Sequence, residues 1–197
     1  MRGNASAGSA EGSARGVSTP EESVATSARA TGGHVVVVCG LPGAGKTTVA
    51  ERITDRLDAT RLRTDVIRKE LFPDPDYTDA ESEAVYDELF ARCRSLVADD
   101  DPAVLDATFR EAAKRSRARG VSEAVDVPFS LVEVTCEDPV VRERIRARTD
   151  DASDADVEVY DMYRDLFEPI ETDHLVVDNS GSLAETRRQV DRLFAER

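Results

Sequence analysis

The chain has 197 residues, enough for one domain with its own core, and 40% of them are hydrophobic. Its 26 basic residues face 40 acidic ones, a net charge of −14 that argues against a polyanionic partner. No apolar run approaches the roughly 18 residues of a membrane span and the N-terminus lacks an apolar signal core, so a cytoplasmic protein is expected.

Residues 1–32 are rich in Ala, Gly, Ser and Thr and show no hydrophobic periodicity, which predicts a disordered tail ahead of a domain over 33–197. Val35 to Val38 is a run of β-branched residues that reads as a buried strand. It leads into Gly40-Leu41-Pro42-Gly43-Ala44-Gly45-Lys46-Thr47, which fits G-x-x-x-x-G-K-[ST] at every fixed position, with Thr48 following. Gly40, Gly43 and Gly45 let the backbone curl so that its N–H groups point inward. Together with the positive end of a helix starting near Lys46 they form a cradle for phosphate oxygens. Lys46 is expected to reach the β- and γ-phosphates of ATP, and the Thr47 hydroxyl to ligate Mg²⁺. Val49, Ala50, Ile53 and Leu57 give that helix an apolar face.

A second strand is expected over Thr60–Thr64, ending at Asp65, and a short helix over Val66–Phe72 that Pro73-Asp74-Pro75 breaks. Asp79–Val97 reads as a longer helix with Val85, Leu89, Cys93 and Leu96 on one face. Ala103–Asp106 is a third strand, and Phe109–Arg119 a helix closed by Gly120. Phe129–Thr135 is a fourth strand, followed by a helix over Pro139–Arg148 with Asp138 as its N-cap. After the acidic stretch Asp150–Asp156, helix returns over about Ala155–Phe167. Leu175–Val177 is the last strand, and Leu183–Ala195 the last helix, with Leu183, Thr186, Val190 and Leu193 in register. Strands alternating with helices predict βαβ units, a parallel sheet and an α/β sandwich, with ligands at the carboxyl ends of the strands.

Three residues or loops fall at those ends: the Gly40 loop, Asp65 and Asp106. Asp65 and Arg68 stand at i and i+3, so both project to one side of a helix, where Asp65 can accept a proton from a substrate hydroxyl and Arg68 can orient the substrate. An N-cap aspartate with a surface ion pair is the plainer reading. Asp106 closes an apolar strand and is a candidate for backing Mg²⁺, or simply for capping the next helix. Arg115 lies on that next helix, where it either reaches back to the site or is solvated. Of the arginines at 142, 144, 146 and 148, Arg144 and Arg148 share a face, with Arg142 and Arg146 roughly opposite. One pair closing over the phosphates would act as a lid; a charge-laced surface helix is the default. Tyr77 and Tyr160 read as packing residues rather than base-stacking ones. Cys39, Cys93 and Cys136 are odd in number and widely spaced, and are expected to be structural thiols in a reducing compartment. Many Asp and only three lysines, Lys46, Lys69 and Lys114, fit a chain adapted to concentrated salt; an ordinary acidic protein of a GC-rich genome is the alternative.

The phosphate loop, TDVIRKELF at 64–72, LDATF at 105–109 with Arg115, RERIRART at 142–149 and DDASDAD at 150–156 together resemble the small P-loop kinases of the AAA domain 33 group. These are similar to the kinase domain of polynucleotide 5′-kinases and, more distantly, to zeta toxins and gluconate kinases. The resemblance covers about residues 34–195. It implies a three-layer α/β/α sandwich with a five-stranded parallel sheet, Asp65 as general base, Arg68 on the acceptor side and Asp106 supporting the site. Thr108 and Arg115 belong to its acceptor pattern, and Arg144 or Arg148 is its lid arginine, in a lid spanning about 142–156. The implied reaction is transfer of the ATP γ-phosphate, with Mg²⁺, to a hydroxyl. A small-molecule acceptor is expected, with a polynucleotide 5′-hydroxyl as the alternative and water, as in an NTPase, behind it. No Asn precedes any of the three lysines, so no N-K-x-D guanine-reading motif exists.

Overall fold

The computed structural model describes residues 32–147 and 156–195; the predicted tail over 1–32 lies almost wholly outside them, as do Arg148 and most of the acidic stretch of the predicted lid. Five strands form the sheet: β1 Val35–Cys39, β2 Thr60–Arg63, β3 Ala103–Asp106, β4 Phe129–Thr135 and β5 Leu175–Asp178. Their spatial order is β2-β3-β1-β4-β5, and every neighbouring pair is parallel. Among the described residues there are seven helices: α1 Lys46–Leu57, α2 Thr64–Leu71, α3 Asp79–Ala98, α4 Ala112–Ala124, α5 Asp138–Ala147, α6 Val157–Leu166 and α7 Leu183–Leu193. The three-layer α/β/α sandwich with a five-stranded parallel sheet is therefore present as predicted.

A strand alternates its side chains between two faces, and β1 is apolar on both because both are covered. Val35, Val37 and Cys39 pack with Val85, Leu89, Phe90 and Cys93 of α3 and with Ala118 and Val121 of α4. Val36 and Val38 face the other way, against Val49, Ala50 and Ile53 of α1 and Val190 of α7. Burial pushes the thiols of Cys39 and Cys93 up to about 12, so both behave as small apolar side chains. Among the described residues no helix is long and apolar enough to cross a membrane.

Several boundaries differ from expectation. α2 begins at Thr64, so Asp65 sits in its first turn rather than at a strand end. α4 begins three residues late, because Phe109 takes a left-handed φ of 48° that no helix accommodates. It also runs straight through Gly120 to Ala124, and Gly120 closes nothing. Asp138 is the first helical residue of α5, not a cap outside it. α7 buries Thr186 and Val190, but Leu183 is exposed. Its start is instead set by a capping box between Ser182 and Glu185.

Candidate active site

The site forms where β1, β2 and β3 end. Sheet register sets Asp106 beside Val38 on one side and Arg63 on the other. The chain after β1 turns through Gly40, Gly43 and Gly45 at φ 141°, 80° and 88°, all left-handed. A Cβ at Gly43 would lie 2.6 Å from Val141 Cγ1 and 2.9 Å from Ile145 Cγ1, so α5 packs directly on the loop. A Cβ at Gly40 would overlap the carbonyl oxygen of Val134. Gly40 N–H also donates to the Thr108 carbonyl at 3.2 Å, tying the loop to the chain that follows β3. Leu41 packs with the α5–α6 cluster, Pro42 and Ala44 are buried, and Thr48 lies in the first turn of α1.

Lys46 Nζ donates to the Leu41 carbonyl at 3.0 Å, which keeps its ammonium over the loop. Thr47 Oγ1 donates to Asp106 Oδ2 at 3.0 Å. Asp106 is 5% exposed, and burial raises its pKa despite Lys46, the Thr47 hydrogen bond, Arg63 and Arg61. A threonine hydroxyl paired with a buried carboxylate suits Mg²⁺, which keeps several waters and takes substrate oxygens rather than an all-protein cage. The donor set fits Mg²⁺ with Thr47 as ligand and Asp106 behind it.

Asp65 reaches this pair through a residue that sequence reasoning missed. Arg63 Nε lies 3.5 Å from Asp106 Oδ2, and Arg63 Nη2 lies 3.9 Å from Asp65 Oδ2, so one guanidinium spans both carboxylates. The Asp65 side chain is 42% exposed and open to a substrate. Its anticipated companion Arg68 is turned elsewhere. Arg68 Nη2 donates to Ser82 Oγ at 3.2 Å, Nη1 sits 3.6 Å from Glu81 Oε2, and the guanidinium lies 5.0 Å over the Tyr77 ring. It is held on α3.

Arg115 also departs from expectation. Its guanidinium donates to the carbonyls of Phe109 and Arg110 at 2.8 and 3.0 Å, and to those of Glu168 and Pro169 at 3.0 and 2.9 Å. Rather than reaching for substrate, it staples the loop after β3 to the segment after α6. Thr108 lies in that stapled loop. Of the lid arginines, Arg144 borders the phosphate loop: its Nη1 would be 3.6 Å from a Cβ on Gly45 and donates to Cys136 Sγ at 3.4 Å. Arg142, on the other face, is clamped by Asp138 and Asp161 and does not face the loop. Arg148 lies outside the described residues. Tyr160 is buried, donating to Asp138 Oδ1 at 3.0 Å, a packing role as expected.

Asn179, just after β5, is the second residue missed. Its Nδ2 donates to the Ala44 carbonyl at 2.8 Å, inside the phosphate loop. The rule that nominated Asp65 and Asp106, a polar residue at the carboxyl end of a strand, would also have nominated Asn179. Arg63 was signalled by the alternation Arg61–Arg63, which puts both on one face of β2.

A glycine loop between a central parallel strand and a helix, with a hydroxyl–carboxylate pair at its mouth, defines the nucleotide-binding P-loop fold of the small kinases. The model of the AAA domain family AAA_33 matches residues 35–170, and the chain belongs to that family. Rv2004c of Mycobacterium tuberculosis, an uncharacterized protein, is 30% identical over 140 residues, covering 64% of this chain and 28% of that protein. The chain thus spans little more than a quarter of that relative's length. Among solved structures, a gluconokinase from Sinorhizobium meliloti is 22% identical with a TM-score of 0.63, covering 82% of this chain and 91% of that one. The APS kinase CysC of Mycobacterium tuberculosis, with AMPPNP and APS, is 19% identical at 0.65, covering 84% and 99%. Kti12 of Chaetomium thermophilum, with ADP-AlF3, is 17% identical at 0.65, covering 82% and 97%. At these identities what is shared is the fold.

Proposed function

We propose that the protein is a cytoplasmic kinase that transfers the γ-phosphoryl group of ATP to a hydroxyl of a small-molecule acceptor. The observation that carries this reading is the Arg63 bridge, which ties an accessible carboxylate, Asp65, to the buried Thr47–Asp106 pair. Phosphate binding alone requires no such carboxylate, whereas a hydroxyl acceptor needs a proton acceptor beside the transferring group. In this mechanism the loop N–H groups and Lys46 hold the phosphates, and Thr47 and Asp106 would hold Mg²⁺, which would neutralise charge on the phosphates. Asp65 takes the acceptor's proton. Arg144 adds positive charge from the α5 side, and the stretch 142–156 serves as lid over a kinase domain of 33–197. Arg68 serves the acceptor side only after leaving Glu81 and Ser82. A small acceptor is supported by the net charge of −14 and by the relatives named for gluconate and APS.

The test is transfer from γ-labelled ATP with Mg²⁺ in molar salt, comparing no acceptor, a metabolite pool and 5′-hydroxyl oligonucleotides. Label is expected on a metabolite. Asp65→Asn is expected to cut transfer by about 10²–10⁴-fold, the usual worth of a general base, with ATP affinity by calorimetry nearly unchanged. Label released only as free phosphate, at one rate whatever the acceptor, would overturn the kinase reading.

A further inference from the structure

Asn179 holds the phosphate loop by a contact from outside the G-x-x-x-x-G-K-[ST] stretch. It is buried, and its main chain is pinned at both ends: its N–H donates to the Thr135 carbonyl at 2.8 Å, and its carbonyl accepts from Cys136 Sγ at 3.5 Å. Its side chain bridges two elements. Nδ2 donates to the Ala44 carbonyl at 2.8 Å, and Oδ1 accepts from Thr186 Oγ1 of α7 at 2.7 Å. A carbonyl can only accept, so the amide nitrogen must face Ala44, and the Thr186 hydroxyl fixes the other end of the amide. Thr186 is itself buried, and its Oγ1 also lies 3.3 Å from the Ser182 carbonyl.

The consequence follows from the peptide unit. Across a planar trans peptide the C=O of one residue and the N–H of the next point in opposite directions. Drawing the Ala44 carbonyl outward onto Asn179 therefore turns the Gly45 N–H inward, to the side where phosphate oxygens are cradled. Gly45 takes φ 88°, and a Cβ there would overlap Asn179 Nδ2, so the glycine makes room for the amide as well as for the turn.

We propose that Asn179, oriented by Thr186, is a positioning residue for phosphate recognition: it presets the Ala44–Gly45 peptide so that the Gly45 N–H is aimed at the ligand. The proposal rests on the nucleotide reading above and adds residues from β5 and α7 to it. Free loops bind phosphate less well because they must order the peptide on binding. Here that ordering is built into the fold.

The test measures binding of inorganic pyrophosphate and ADP by calorimetry, well below the melting temperature of each ligand-free variant. Asn179→Ala is expected to weaken both about tenfold, the worth of one buried hydrogen bond. Asn179→Asp, which sets a carboxylate against a carbonyl, is expected to weaken them roughly a hundredfold. Thr186→Val keeps the shape and removes the orienting hydroxyl, with a loss of about threefold, and Thr186→Ser restores the wild-type value. At saturating pyrophosphate the amide resonance of Gly45 shifts less in Asn179→Ala than in the wild type, a signature that general destabilisation does not produce. Wild-type binding with Asn179→Ala and Thr186→Val unchanged overturns the inference alone. A wild type that binds neither ligand overturns the nucleotide reading and this inference with it. Should Asn179→Ala fail to fold, Thr186→Val carries the same test.

Discussion

Burial of the Asp106 carboxylate weakens the ligand-free fold at neutral pH. Burial is the first cause of its raised pKa, and Lys46, Thr47 and Arg63 oppose burial without cancelling it. Because the folded pKa lies above the unfolded one, the favourable contribution is complete when the carboxyl is protonated, below its unfolded pKa. It is lost as pH rises through the folded value. Asp106→Asn is therefore expected to raise the melting temperature of the ligand-free protein at neutral pH. The gain should shrink toward acid pH, where the wild type is neutral as well, and Mg²⁺-dependent ADP binding should fall. Scanning calorimetry across pH reads the first, titration calorimetry the second; an unchanged or lower melting temperature at neutral pH would count against burial as the dominant influence. At this scale the sequence was most legible where chemistry demands a fixed spacing, from Gly40 to Thr47. Arg63 and Asn179 act by sheet register and by a contact between residues 135 apart in the chain; strand alternation and strand-end position mark them as candidates, but no local pattern encodes what they touch.

The element hardest to read was α4. Its expected start at Phe109 fails because that residue turns left-handed and wedges its ring against Tyr86, edge-on with centroids 5.3 Å apart. The Tyr86 hydroxyl oxygen then accepts from Phe109 N–H at 3.2 Å, so the aromatic cluster fixes the kink. Gly120 misled in the opposite direction. A glycine inside a helix costs only about 1 kcal/mol, and the apolar spacing Ala118, Val121 runs past it onto the core. That periodicity was the better guide. Arg115 was misplaced for a related reason: an arginine facing the site in one dimension can be taken up by loop carbonyls in three. Arg115→Met should destabilise the fold by roughly 3 kcal/mol, because four main-chain carbonyls lose their donor at once. Urea denaturation measures it, and a change under about 0.5 kcal/mol, the range of ordinary surface substitutions, would refute the staple.

Over the whole molecule, the alternation of strands and helices was enough to read the parallel sheet, since such connections leave few other arrangements. The net charge of −14 predicts a response to salt. Screening shortens from about 10 Å at 0.1 M to about 3 Å at 1 M, so self-repulsion fades and the melting temperature should climb with KCl. A melting temperature that falls instead would assign the acidity to something other than life in salt. The strand order has a further effect, on time. β1 is central, uncharged and wholly buried, yet it pairs only with β3 and β4. Val35 meets Ala103 and Phe129, so its two partners lie far downstream in the chain. At about 5–20 residues per second a ribosome needs several seconds to supply them. For that interval a run of four valines waits without neighbours, the kind of segment that chaperones cover and that strand-to-strand association finds first. Of the five strands of the sheet, the one that delivers the phosphate loop is made before both of its partners.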